Sequence, residues 1–194
     1  SLTQTPDLMA ELLQDIGQAQ AGIADRTSAD RSFSEAVDTY RRIRDRRSEL
    51  LTLLAQADNA LAMGRNDRAQ ALLSQAEALY EPYQNDAVVT SKLLPMRGYV
   101  AGFKNDWALA KASFERYLAL STTGFDQSPL TRVQVLQFLA TAVFALSDDA
   151  PGAMAPVVGT ISVGLTYTGR PPSLASAKPP VRRRFASRAL SPFT

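Results

Sequence analysis

The side chains that carry most protein chemistry are missing from this sequence. It contains no histidine and no cysteine. That removes the commonest general base, the Ser-His and Cys-His dyads, and zinc sites built on those ligands. No phosphate loop, dinucleotide fingerprint or nucleophile elbow occurs. What remains is charge. Asp148-Asp149 sits beside a proline-rich turn, where solvated turn residues are expected rather than a metal site. Asp58-Asn59 faces either solvent or a groove. Arg41, Arg42, Arg44, Arg46 and Arg47 form a basic run suited to acidic peptide or phosphate. Glu35, Asp38, Asp45 and Glu49 lie among them and favour a balanced, solvated face. Arg182-Arg183-Arg184 has no acid nearby, so its attraction for nucleic acid, anionic lipid or an acidic protein groove is uncompensated. Only Phe185 and Phe193 accompany it, which gives base stacking little to use. The expectation is a protein that binds rather than catalyses, with no cofactor and no metal.

The elements that must position these charges are helices. From Thr5 to about Leu146, apolar residues recur at helical spacing. Leu8, Met9, Leu12, Leu13, Ile16 and Ala19 form the first amphipathic stripe. The polar stretch Asp25 to Ser32 reads as a connection, with Ser32 or Ser34 capping the next helix. Further helices are expected at about 49–63, 67–80, 91–103, 106–120 and 129–146. Gly64 with Asn66-Asp67, Asn105-Asp106 and Ser128-Pro129 punctuate them. Tyr40, Ile43, Arg47, Leu50, Leu54, Ala57 and Leu61 keep a 3-4 spacing with no breaker. Residues 34–63 therefore read equally as two helices or as one rod in a bundle or coiled coil. The uncharged stretch Val133 to Ser147 is shorter than the roughly 20 residues of a membrane span.

Three stretches align. Ala36-x3-Tyr40, Ala69-x3-Leu73 and Ala110-x3-Phe114 each place a small residue where two helices would cross and a large one a turn later. Gly98 lies twelve residues before Ala110, and Ala57 twelve before Ala69. This pattern resembles the tetratricopeptide repeat, over roughly residues 20–120. The step from Ala36 to Ala69 falls one short of that family's period of about 34 residues, and the step from Ala69 to Ala110 exceeds it by seven. The excess falls on an enlarged connection at Glu81 to Thr90. The early Trp of the family is replaced by Leu53 and Leu94, and its Tyr by Ala60 and Ala101. The resemblance implies an all-α domain over 1–147, a solenoid of stacked antiparallel hairpins. It also implies a binding groove lined by first helices, here Leu51, Leu54, Asp58 and Leu61, then Lys92, Met96, Tyr99 and Phe103. The Lys and Asn set with which some relatives clamp a peptide carboxylate is absent, so apolar helices or extended peptides are the expected guests.

Residues 148–194 differ in kind. A Pro-Gly loop leads to 161–168, where Ile161, Val163, Leu165 and Tyr167 alternate with small residues as in a strand. A lone strand needs a neighbour. It pairs with a strand of a partner or of a second copy, or it is an extended tail packed on the helices, or disordered. The rest is rich in Pro, Ser, Ala and Arg, favouring extended or disordered chain. Six basic residues and no acidic one follow Asp149, so the part before holds 15 basic and 19 acidic residues. The body is mildly acidic and the high pI belongs to the tail.

Two functions follow as expectations. One is a protein-binding scaffold, adaptor or assembly factor, alone, as a homo-oligomer, or as the repeat portion of a larger bacterial protein. The other is a nucleic-acid- or ribonucleoprotein-associated subunit using its basic tail. A cytoplasmic location is expected, with export after removal of a leader as the alternative.

Overall fold

A computed structural model describes residues 5–120 and 129–147. Over these residues the chain is all-helical: α1 Thr5–Gly22, α2 Arg26–Ile43, α3 Arg46–Ala62, α4 Asn66–Ala78, α5 Ala87–Phe103, α6 Trp107–Leu120 and α7 Pro129–Leu146, with a 3-10 turn at Glu81–Tyr83. The strand expected at 161–168, the tail arginines Arg182, Arg183 and Arg184, and Asp148-Asp149 lie outside the described residues.

Two helices, not one rod, occupy residues 34–63. Arg44 takes the left-handed conformation at φ 63°, and Asp45 then caps α3 by accepting the Ser48 N–H at 3.0 Å. The unbroken apolar spacing conceals this break because the joint is only two residues long. Two further boundaries differ from the sequence reading. Asp25 to Ser32 is not a connection: Asp25 is the N-cap, accepting from Ser28 N, and the helix starts at Arg26. The polar residues there form the first turns of α2, whose buried face already includes Ala29 and Ser32. The connection placed at Glu81–Thr90 is shorter, because Asp86 caps α5 through Val88 N and Val89 N.

Consecutive helices pack in pairs, α1 on α2, α3 on α4 and α5 on α6, while α2 also packs on α3 and α6 on α7. The odd-numbered helices α1, α3, α5 and α7 touch in succession. Small residues let paired backbones approach closely. A Cβ added at Gly98 would lie 2.4 Å from the Phe114 ring, and one added at Gly17 would lie 2.8 Å from Phe33. Ala57 and Leu73 hold the corresponding places in the middle pair, both buried.

These contacts share one spacing: the small residues are Gly17, Ala57 and Gly98, and the large residue follows each after sixteen positions as Phe33, Leu73 and Phe114. Seven positions after each small residue stands a left-handed residue, Ala24 at φ 65°, Gly64 at 70° and Asn105 at 61°. The two intervals agree to within a single position, each about 40 residues. In the first pair the equivalent of Ala69 and Ala110 is therefore Ala29, not Ala36. Ala36 is buried in a smaller cluster with Ala10 and Tyr40. Helix and linker lengths compensate: α2 has 18 residues before a two-residue joint, α4 has 13 before the linker 79–86.

α7 is 18 residues long with a mean hydropathy of 1.4, which by length and composition is enough to cross a membrane. The helix begins at Pro129, before the uncharged stretch, and takes in Arg132. Its Val135, Phe138 and Ala142 are buried, while Val133, Leu136, Val143 and Phe144 are about half-exposed.

Candidate functional site

The eight residues expected to line a groove divide by burial. Leu54, Leu61, Met96 and Tyr99 belong to the core cluster. Leu51, Asp58 and Phe103 are half-buried and Lys92 is exposed. The accessible part of that set is thus Leu51 and Asp58 on α3, and Lys92 and Phe103 on α5. The periodicity that marks a helix face does not separate residues that line a surface from those just beneath it.

Asp58 is the electrostatic centre of this strip. Removal from water raises its carboxyl pKa to about 6, against the opposing pull of Arg26 and Lys92. It sits one repeat before Tyr99, at the same position of the next odd helix. Burial raises the Tyr99 hydroxyl pKa above its ordinary value, and the Asp58 charge adds to the shift. Tyr99 Oη has no hydrogen-bond partner within the described residues. Its ring packs at 5.4 Å from Phe114 and 4.8 Å from Phe138.

Toward α1 the strip continues into a depression of about 310 Å³ bordered by Glu11, Gln14, Asp15, Tyr40, Arg47, Ser48 and Leu51. The Tyr40 hydroxyl pKa is raised, first by burial and then by the nearby charges of Glu11, Asp45 and Asp15. This end is acidic because Arg47 is engaged elsewhere: its Nε donates to Asp86 Oδ2 at 2.7 Å, tying α3 to the start of α5. The same bond is the leading cause of the lowered Asp86 pKa. Sequence reading did not single out this acidic end. Its signal was the four-residue spacing of Asp7, Glu11 and Asp15 along α1.

The basic run of α2 and α3 is largely paired. Arg41 Nε and Arg46 Nη1 both donate to the buried Glu49, at 2.9 and 2.8 Å. Arg41 also reaches Asp38 at 3.6 Å, and Arg42 donates to Thr39 Oγ1 at 3.0 Å. Among the described residues no group of three or more acidic side chains is arranged to hold a metal ion. The residues form an apolar and charged strip that is acidic toward α1. No protein-family model, no curated protein and no solved structure matches this chain.

Proposed function

We propose that this protein is a non-catalytic scaffold of tetratricopeptide-like helical hairpins, holding a protein partner along the strip where α1, α3 and α5 run side by side. One observation carries the reading. A small residue, a left-handed turn and a large residue recur in fixed register, once in each hairpin. Hairpins in register stack, and stacking lines one side with the first helix of each. The intervals exceed the tetratricopeptide period of about 34 residues and reach the roughly 40 to 47 residues of other helical-hairpin arrays. The proposal therefore rests on the hairpin stack rather than on that family's length signature. Leu51, Asp58, Lys92 and Phe103 are the contacts, with Glu11 and Asp15 favouring a guest that carries basic side chains at one end.

The test is site-specific photo-crosslinking in cells, with the crosslinker at Leu51 or Lys92 and, as controls, at the exposed positions Asp67 and Gln75 of α4. One protein captured from both strip positions, absent from the controls and lost with Asp58→Arg, is the expected result. Equal capture from both sides of the molecule would overturn the proposal. The nucleic-acid reading is favoured by one observation, the six uncompensated basic residues after Asp149. Nucleic-acid binding that weakens steeply with salt and vanishes in a chain ending at Asp149 would support that reading instead.

A further inference from the structure

α1 and α7, at opposite ends of the helix order, each leave an apolar stripe uncovered. On α1 the stripe is Leu8, Met9, Leu12 and Ile16, three of them more than half exposed, with Ile23 continuing it just past the helix end. On α7 it is Val133, Leu136, Ala140, Val143 and Phe144, spread over about three turns. Isolated exposed apolar residues are ordinary, but a contiguous stripe on each end helix marks an interaction surface.

α7 buries Val135, Phe138 and Ala142 and leaves Val133, Leu136, Ala140 and Val143 exposed among the described residues. Met9, Leu12 and Ile16 of α1 stand one repeat before Glu49, Thr52 and Gln56, the buried face that α3 turns to the preceding pair. Among the described residues, the faces that α1 and α7 leave uncovered are both apolar.

Charge pairs them. The charged residues of α1 are Asp7, Glu11 and Asp15, all acidic, and Glu11 and Asp15 flank its stripe. The only charged residue of α7 is Arg132, at the edge of its stripe. Among the described residues α1 packs on α2 and α3, and α7 on α6 and α5. We propose that the α1 stripe of one copy docks on the α7 stripe of a second copy, a head-to-tail contact that leaves one free face at each end and can extend into longer assemblies. The contact does not use Leu51, Asp58, Lys92 or Phe103 and shares only Glu11 and Asp15 with the proposed strip.

Sedimentation velocity of the full chain over a wide range of concentration tests this. The wild type should form dimers and larger species with rising concentration. Leu12→Glu and Leu136→Glu should each abolish assembly while leaving the circular dichroism spectrum and thermal midpoint unchanged, since both side chains are exposed. An equimolar mixture of the two variants should restore a dimer and nothing larger, because each retains one intact stripe. If either variant unfolds, Leu8→Lys and Val143→Lys replace them. A monomer at every concentration overturns the proposal. So does assembly lost with Leu136→Glu but not with Leu12→Glu, which would mean two-fold α7 pairing. Binding of the monomer to liposomes, removed by Leu136→Glu, would overturn it too and assign the α7 stripe to a lipid surface.

Discussion

The joint between α2 and α3 and the joint among α5, α6 and α7 do the same mechanical task with different chemistry. At the first, α3 turns Glu49, Thr52, Gln56 and Asn59 toward the preceding pair, all buried. Glu49 takes two arginines, and the Thr52 hydroxyl donates to Gln14 Oε1 at 2.8 Å. Gln56 donates to Asp30 Oδ1 and Ser34 Oγ at 2.8 and 2.7 Å, and Asn59 to the Arg26 carbonyl at 2.9 Å. At the second, Tyr99, Phe114 and Phe138 form a triangle of rings, the last two 6.1 Å apart. Hydrogen bonds fix direction and register but add little net stability, whereas buried rings add stability and tolerate sliding. One repeat geometry thus accepts either seal, provided that buried polar groups find partners. Asn59 Oδ1 and Tyr99 Oη, one at each joint, are the two buried side-chain atoms left without one among the described residues.

Breaking the aromatic seal should cost most. Phe114 is 1% exposed and lies over Gly98, so Phe114→Ala should destabilise the protein by about 3–5 kcal/mol in urea unfolding. A loss under about 1 kcal/mol would mean that the ring triangle is not the anchor of this end. The polar seal comes next. Arg41→Met together with Arg46→Met strands the Glu49 carboxylate, whose side chain is 3% exposed, and should cost about 3 kcal/mol. A change near zero would show the two arginines to be decoration. The smallest effect has the opposite sign. The Asp58 carboxyl titrates near 6 in the folded chain and near 3.8 when unfolded. The unfolded chain therefore releases this proton first, and stability falls as pH rises between about 4 and 6. Asp58→Asn should remove that fall, leaving the protein about 1–2 kcal/mol more stable than wild type at pH 7 and equal to it below about pH 4. Identical pH profiles of Tm for the two proteins would refute it.

The helices are legible because their apolar residues keep a 3.6-residue period, and Gly98 and Ala57 stand out as crossings because only small residues fit there. The close approach in the first pair joins Gly17 to Phe33 rather than falling at Ala36, because Ala36-x3-Tyr40 and Ala29-x3-Phe33 are equally good local patterns. Gly17, sixteen residues before Phe33, is the signal that separates them. The start of α2 is hidden by its polarity, since Arg26, Asp30 and Ser34 bury their contacts as hydrogen bonds with α3 rather than as apolar surface. The strip is legible only in part. Helical spacing identifies a face, but whether Tyr99 reaches the surface depends on Phe138, which arrives from α7, a full repeat further along the chain.

The unequal linkers of the hairpins decide where the chain can grow. Between α4 and α5 lie eight residues, of which Gln84 and Asn85 are exposed, so extra length there can be absorbed before it reaches a crossing. Arg44 and Asp45 offer no such room. A single residue inserted between them would turn α3 by about 100° about its axis. That would swing Glu49, Thr52 and Gln56 off their partners and carry every later hairpin out of line. Divergence in loop length should therefore collect at 79–86 and stay away from 44–45.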